Sequence, residues 1–81
     1  MFNITWHQEA LKELYKLDFF IAKIIFKKVE EMREDPFSKD VKRLKGQTSF
    51  RLRIGDYRVL FEIIGNILFI KKVGHRKNIY D

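Results

Sequence analysis

Between Ser49 and Ile63 the sequence reads SFRLRI, then Gly55-Asp56, then YRVLFEI, and no other stretch constrains the fold as tightly. Phe50, Leu52 and Ile54 alternate with Ser49, Arg51 and Arg53, and Tyr57, Val59, Phe61 and Ile63 resume the alternation after the turn. A period of two marks strands with one buried face, and a two-residue Gly-Asp connection suits a tight antiparallel hairpin. In that register opposite residues share a face, which sets Arg53 against Arg58 and Arg51 against Leu60. Three arginines then crowd one side of a sheet. Like charges directly opposite each other destabilise by some tenths of a kcal/mol, so an anion is the expected missing partner.

The remaining elements follow from periodicity and punctuation. Phe2, Ile4 and Trp6 alternate with polar residues and predict a short strand over Phe2 to Trp6. Thr5 or His7 can cap the helix expected from Gln8 to Leu17, where Ala10, Leu11, Leu14, Tyr15 and Leu17 recur at helical spacing. Asp18 is a favourable cap for a second helix with an apolar stripe of Ile21, Ile24, Ile25, Val29 and Met32. Pro36 disfavours helical geometry at Asp35, so this helix is expected to end near Glu34 and to turn back antiparallel on the first. From Asp35 to Thr48 no period holds. Phe37, Val41 and Leu44 are expected to anchor this basic loop, with Lys39, Lys42, Arg43 and Lys45 in water.

Gly65-Asn66 marks another turn, and Ile67 to Val73 is a third β-rich run. Its register is open: a two-residue turn puts Lys72 on the helix-packed face, and a three-residue loop puts Lys71 there. Trp6, Tyr15 and Tyr57 are assigned to the core. The whole reads as an α+β fold: an N-terminal strand, an antiparallel helical hairpin and a three-stranded antiparallel meander forming a curved sheet with helices on one face. Eighty-one residues have room for one compact domain, residues 1–81.

The charge is lopsided. Residues 1–37 hold six Lys/Arg against seven Asp/Glu, net −1, whereas residues 38–81 hold eleven against four, net +7. A basic surface on a neutral scaffold attracts a polyanion and neutralises phosphates once docked. With no cysteine and two isolated histidines, disulfides, thiolate nucleophiles and a closed metal site are excluded. No Gly-rich phosphate loop or Ser-centred elbow is present, and no cofactor is expected. The N-terminal residues lack the pattern of a signal peptide and no apolar run approaches ~20 residues, so a cytoplasmic protein without a membrane partner is expected.

The segment VGHRKNIYD, from Val73 to Asp81, adds His75, Arg76, Lys77 and Tyr80 directly after the last strand. Guanidinium groups match phosphate oxygens in bidentate fashion. Fixed donors aimed at a pentacoordinate phosphorus contribute about 3–4 kcal/mol each. A ribose 2′-hydroxyl must lose a proton to attack the adjacent phosphate, and Tyr80 or His75 can take it if held within reach. His75 also has a plainer role as a hydrogen-bonded strand-end residue, His7 as a cap. Glu62 shares a face with Arg58 and can pair with it or with a lysine of the third strand.

LKG at Leu44 to Gly46, FRLRIGDYRVLFEI from Phe50 to Ile63 and VGHRKNIYD together resemble the RelE branch of the RelE/ParE toxin superfamily, and the resemblance spans essentially the whole chain. It implies a RelE-like toxin of a type II toxin-antitoxin system that inhibits translation as a ribosome-dependent, metal-independent endoribonuclease. The implied chemistry is cleavage of mRNA by 2′-hydroxyl attack. The implied partners are the ribosome, mRNA and a cognate antitoxin with an acidic toxin-binding segment. Carried onto this sequence, the catalytic positions are Arg51, Arg58, Arg76 and Tyr80, with His75 in reserve. Arg53, Lys42, Arg43, Lys45, Lys72 and Lys77 are expected to contact RNA. Arg51 stands where the family carries a lysine, and a second lysine position falls near Ser49. The same scaffold also serves ParE-like inhibitors of DNA gyrase and can serve as an inactive RNA- or partner-binding module.

Overall fold

A computed structural model describes residues 1–45 and 48–79. In chain order it contains β1 (Asn3–Trp6), α1 (Gln8–Tyr15), α2 (Phe19–Glu31), β2 (Val41–Arg43), β3 (Ser49–Ile54), β4 (Tyr57–Ile64) and β5 (Ile67–His75). The strands form one sheet in the order β1-β5-β4-β3-β2. The meander β3-β4-β5 is antiparallel throughout, and β1 closes the far edge by pairing parallel with β5, Ile4 beside Leu68 and Trp6 beside Ile70. Both helices cover one face. Ala10, Leu14, Ile25, Val29 and Met32 meet Phe50, Leu52, Val59, Phe61, Leu68, Ile70 and Val73 in a single buried cluster.

Asp18 caps α2 as expected, its Oδ1 accepting the N–H of Phe20 at 3.0 Å. The helices are shorter than periodicity suggests. α1 stops at Tyr15, and α2 stops at Glu31 and passes into tighter turns in which Arg33 and Glu34 donate to Glu30 and Glu31. His7 occupies the cap position of α1 without a side-chain bond to the helix. Two residues assigned to the core face water instead: Tyr15 is 78% exposed and Ile24 is 54% exposed. Ile25, Val29 and Met32 make the line that is buried, and Ile24 lies one step around the helix from it. Phe37 is also exposed, although its ring meets Phe50 edge-on.

The segment expected to be a loop contains β2, which extends the sheet by pairing Val41 with Leu52, Lys42 with Arg51 and Arg43 with Phe50. Lys39, Lys42, Arg43 and Lys45 are exposed.

The open register of β5 is resolved by a bulge. The Gly65-Asn66 turn is a two-residue connection, with Ile64 opposite Ile67 and Gly65 in the left-handed region at φ 60°. Continued without interruption, that register would turn Lys72 into the core. Instead the pairing shifts between Leu60 and Phe61, so that Ile70 faces Phe61 while Lys72 faces Leu60 and Lys71 is the extra residue. Val73 then returns to the buried face, and both lysines avoid it. Beyond the end of β1 the edge of β5 has no strand neighbour among the described residues, and α1 covers it. Glu13 Oε1 accepts the Val73 N–H at 2.9 Å, satisfying a donor that the edge would leave unpaired.

Candidate active site

The Gly55-Asp56 turn organises the basic end of the molecule. Gly55 has φ 57°, a conformation open to glycine at little cost, which lets two residues reverse the chain. The register is the one expected from sequence, Arg53 opposite Arg58 and Arg51 opposite Leu60. The Arg58 Nη1 donates to the Gly55 and Tyr57 carbonyls, both at 2.8 Å, so backbone oxygens of the turn hold its guanidinium. The Arg76 N–H donates to the Asp56 carbonyl at 2.8 Å and its Nε lies 3.5 Å from Asp56 Oδ1, which ties the end of β5 to the same turn. Arg53 is held similarly: its N–H donates to the Asp40 carbonyl at 2.9 Å and its Nη2 reaches Asp40 Oδ1 at 3.4 Å.

These residues line one cleft of about 510 Å³, in which Arg53, Arg58 and Arg76 meet Lys28 from α2. Arg53 and Arg76 each have a carboxylate partner, whereas among the described residues Arg58 has no acidic partner. Exposed ion pairs of this kind are worth only about 0.2–1 kcal/mol, so a phosphate can take their place. Arg51 lies outside the cleft lining, between Lys42 and Leu60 on the same open face. Its Nε is buried and, among the described residues, has no hydrogen-bond partner. An unsatisfied buried donor costs about 1–3 kcal/mol.

His75 stands elsewhere. It is opposite Tyr57, on the other side of the sheet from Arg58, with its ring edge-on to Tyr57 at 5.5 Å. Its Nδ1 accepts the Lys77 N–H at 3.2 Å, and its carbonyl accepts from Asn78 and Ile79. It therefore shapes the turn that carries Arg76 and does not line the cleft. That turn brings Ile79, which is buried, against Gly74, the residue opposite Arg58. A Cβ on Gly74 would lie 3.1 Å from Ile79 Cδ1, so the missing side chain makes room for the chain to fold back beside Arg58. Tyr80 lies outside the described residues.

Of the residues expected to touch RNA, Lys72 is half-buried opposite Leu60, and Lys42, Lys45 and Lys77 are exposed. Arg43 turns to the other side and lies over the Phe50 ring, 5.5 Å from its centroid. Glu62 pairs with Lys71 at 3.6 Å. Lys28, Asp40 and Asp56 are cleft residues that sequence reasoning missed. Lys28 falls on the charged face of α2 and nothing in its spacing points toward a turn about 30 residues later, and Asp40 precedes β2, away in sequence from the strands that carry Arg53 and Arg58.

A family model described as the ParE toxin of the type II toxin-antitoxin system parDE matches residues 4–80. The chain belongs to the RelE/ParE toxin superfamily. Toxin RelE3 of Methanocaldococcus jannaschii is 33% identical over 84 residues, 98% of this chain and 96% of that protein. The toxin in a crystal structure of a RelB-RelE antitoxin-toxin complex from Methanococcus jannaschii superposes with a TM-score of 0.77 at 30% identity, covering 94% of each chain. The archaeal RelE-RelB complex from Pyrococcus horikoshii OT3 shares the fold, with a TM-score of 0.83 at 22% identity over 95% of this chain and 97% of that one. The five-stranded sheet with two helices is thus the scaffold of the RelE toxins, and the chain is a type II toxin of this superfamily.

Proposed function

We propose that this toxin is a ribosome-dependent endoribonuclease of the RelE kind, working in the cytoplasm without a metal ion. The observation that carries the reading is Arg58. Two turn carbonyls fix it, no acid among the described residues neutralises it, and it shares one cleft with Arg53 and Arg76. In the proposed reaction the 2′-hydroxyl gives up its proton as its oxygen bonds the adjacent phosphorus, the bond to the 5′-oxygen breaks, and a 2′,3′-cyclic phosphate is left. Arg58 and Arg76 stabilise the extra negative charge on the phosphorane, Arg51 holds a neighbouring phosphate, and the leaving 5′-oxygen gains a proton. Tyr80 is the proposed proton-transfer residue, on the resemblance of the IYD ending. His75 serves as the support of the Arg76 turn.

The proposed partner is an antitoxin, as in the RelB complexes of the similar toxins. Two surfaces suit it: the basic cleft, which an acidic segment would neutralise, and the apolar hollow of about 360 Å³ where Tyr15 and Phe19 meet Phe26. The matching family model is named for ParE, so one experiment must separate the two branches. Induced expression with mapping of new mRNA 5′ ends is expected to show cuts inside translated frames, with gyrase supercoiling unaffected. Blocked supercoiling with intact mRNA would assign the chain to the gyrase-inhibiting branch.

A further inference from the structure

The chain turns sharply at the end of β5, and the hydrogen bonds that shape the turn among the described residues converge on His75 and Arg76. The His75 carbonyl accepts the N–H of Asn78 at 2.9 Å and that of Ile79 at 3.0 Å, and the Arg76 N–H donates to the Asp56 carbonyl at 2.8 Å. One further bond uses a side chain: the Lys77 N–H donates to His75 Nδ1 at 3.2 Å. It runs from residue 77 back to residue 75 and so closes a ring around Arg76, as the side chain of an Asx turn closes around the residue that follows it. The imidazole is itself held, opposite Tyr57 in the register and edge-on to its ring at 5.5 Å. It is half-buried, within reach of water.

We infer that His75 is a positioning residue for Arg76 and that its neutral ring is the form that holds Arg76 in the cleft; the consequence for rate rests on the RNA-cleaving reading. A neutral imidazole has one acceptor nitrogen and one N–H, whereas the charged ring has two N–H groups and no acceptor. Nδ1 can therefore take the Lys77 N–H only in the neutral ring, with the proton on Nε2. On protonation two donors face each other and the bond is lost. Histidine is the side chain that changes charge between about pH 5 and 8, so the turn loosens as the medium becomes acid. The charged groups around the ring do not replace the lost bond. Arg76 and Lys77 on the same turn are cations. Of the acids, Asp56 on the β3–β4 turn faces Arg76, its Oδ1 3.5 Å from Nε, and Glu13 on α1 gives its Oε1 to the Val73 N–H. Beside Tyr57, α2 presents Ile21, Ile24 and Ile25, which carry no charge. Asparagine separates acceptor from charge, because its Oδ1 can take the Lys77 N–H and does not titrate.

Two measurements on the full chain separate this inference from the reading beneath it. In the first, hydrogen exchange resolved to single residues compares wild type with His75→Asn, without ribosomes, at about pH 8 and about pH 5.5. Protection of the Lys77 amide, corrected for the intrinsic exchange rate, is expected to fall about three- to tenfold at the lower pH in wild type, the worth of one hydrogen bond, and to stay level in His75→Asn. Protection that does not change in wild type, or that changes equally in His75→Asn, overturns the inference whether or not RNA is cut. In the second, single-turnover cleavage on saturating ribosomes is measured at the same two pH values for wild type, His75→Asn and His75→Ala. The ratio of wild type to His75→Asn cancels the pH dependence of the ribosome and of the 2′-hydroxyl. It is expected to fall about three- to tenfold from about pH 8 to about pH 5.5, with His75→Ala slow at both and His75→Asn restoring the rate. A flat ratio, or a His75→Asn rate as low as that of His75→Ala at the higher pH, overturns the positioning role. If exchange behaves as expected and no variant cuts mRNA, only the nuclease reading falls.

Discussion

At the residue scale the site is a contest for guanidinium donors. Among the described residues Arg58 bonds neutral backbone oxygens alone, whereas Arg53 and Arg76 are held on Asp40 and Asp56. The carboxylates orient two arginines and occupy the donors a phosphate needs. Asp56→Asn is expected to tighten binding to single-stranded RNA and to steepen the dependence of log K on log salt by about 0.7, the contribution of one more neutralised phosphate. An unchanged slope in a salt titration would mean that Asp56 does not compete. The facing of Arg53 and Arg58 was legible in the sequence because a two-residue turn leaves only one register. The positions of the acids were not. Asp40 reaches Arg53 only because β2 folds onto β3, and three residues are too few for a period to show.

At the element scale the bulge in β5 decides which side chains reach the open face. Alternation before and after it follows different parities, which is why the sequence alone could not place Lys71 and Lys72. The pairing of β1 with β5 was equally hidden, since a short amphipathic strand carries no mark of its neighbour. α1 must therefore do two things: cover the core and take the edge donor that β1 leaves. Glu13→Ala is expected to cost about 1–3 kcal/mol in chemical denaturation, the penalty for leaving the Val73 N–H unpaired. Asp18→Ala is expected to cost about 1 kcal/mol through the cap of α2. Equal, negligible losses in both would show that these bonds add nothing to the elements they close.

At the scale of the whole molecule, the described residues leave two surfaces of opposite character uncovered. One is the basic face of β3, β4 and β5. The other is the outer side of the helices, where Phe19 is 71% exposed and Phe20 72%, their rings edge-on at 5.8 Å. Contiguous apolar surface on a small protein marks an interaction site or an aggregation hazard. The chain without its antitoxin is expected to self-associate in light scattering, and Phe19→Ser with Phe20→Ser to reduce this and weaken antitoxin binding while cleavage persists. A monodisperse wild type would indicate that the patch is tolerated in water.

The central claim is that Arg58 and Arg76 act on the reacting phosphate and do more than attract RNA. Single-turnover cleavage of an mRNA on saturating ribosomes, measured for wild type, Arg58→Ala and Arg76→Ala alongside ribosome affinity, tests it most directly. Each substitution is predicted to slow the chemical step by about 10² or more and to change affinity by far less. A rate that stays at the wild-type value once binding is saturated would contradict the account.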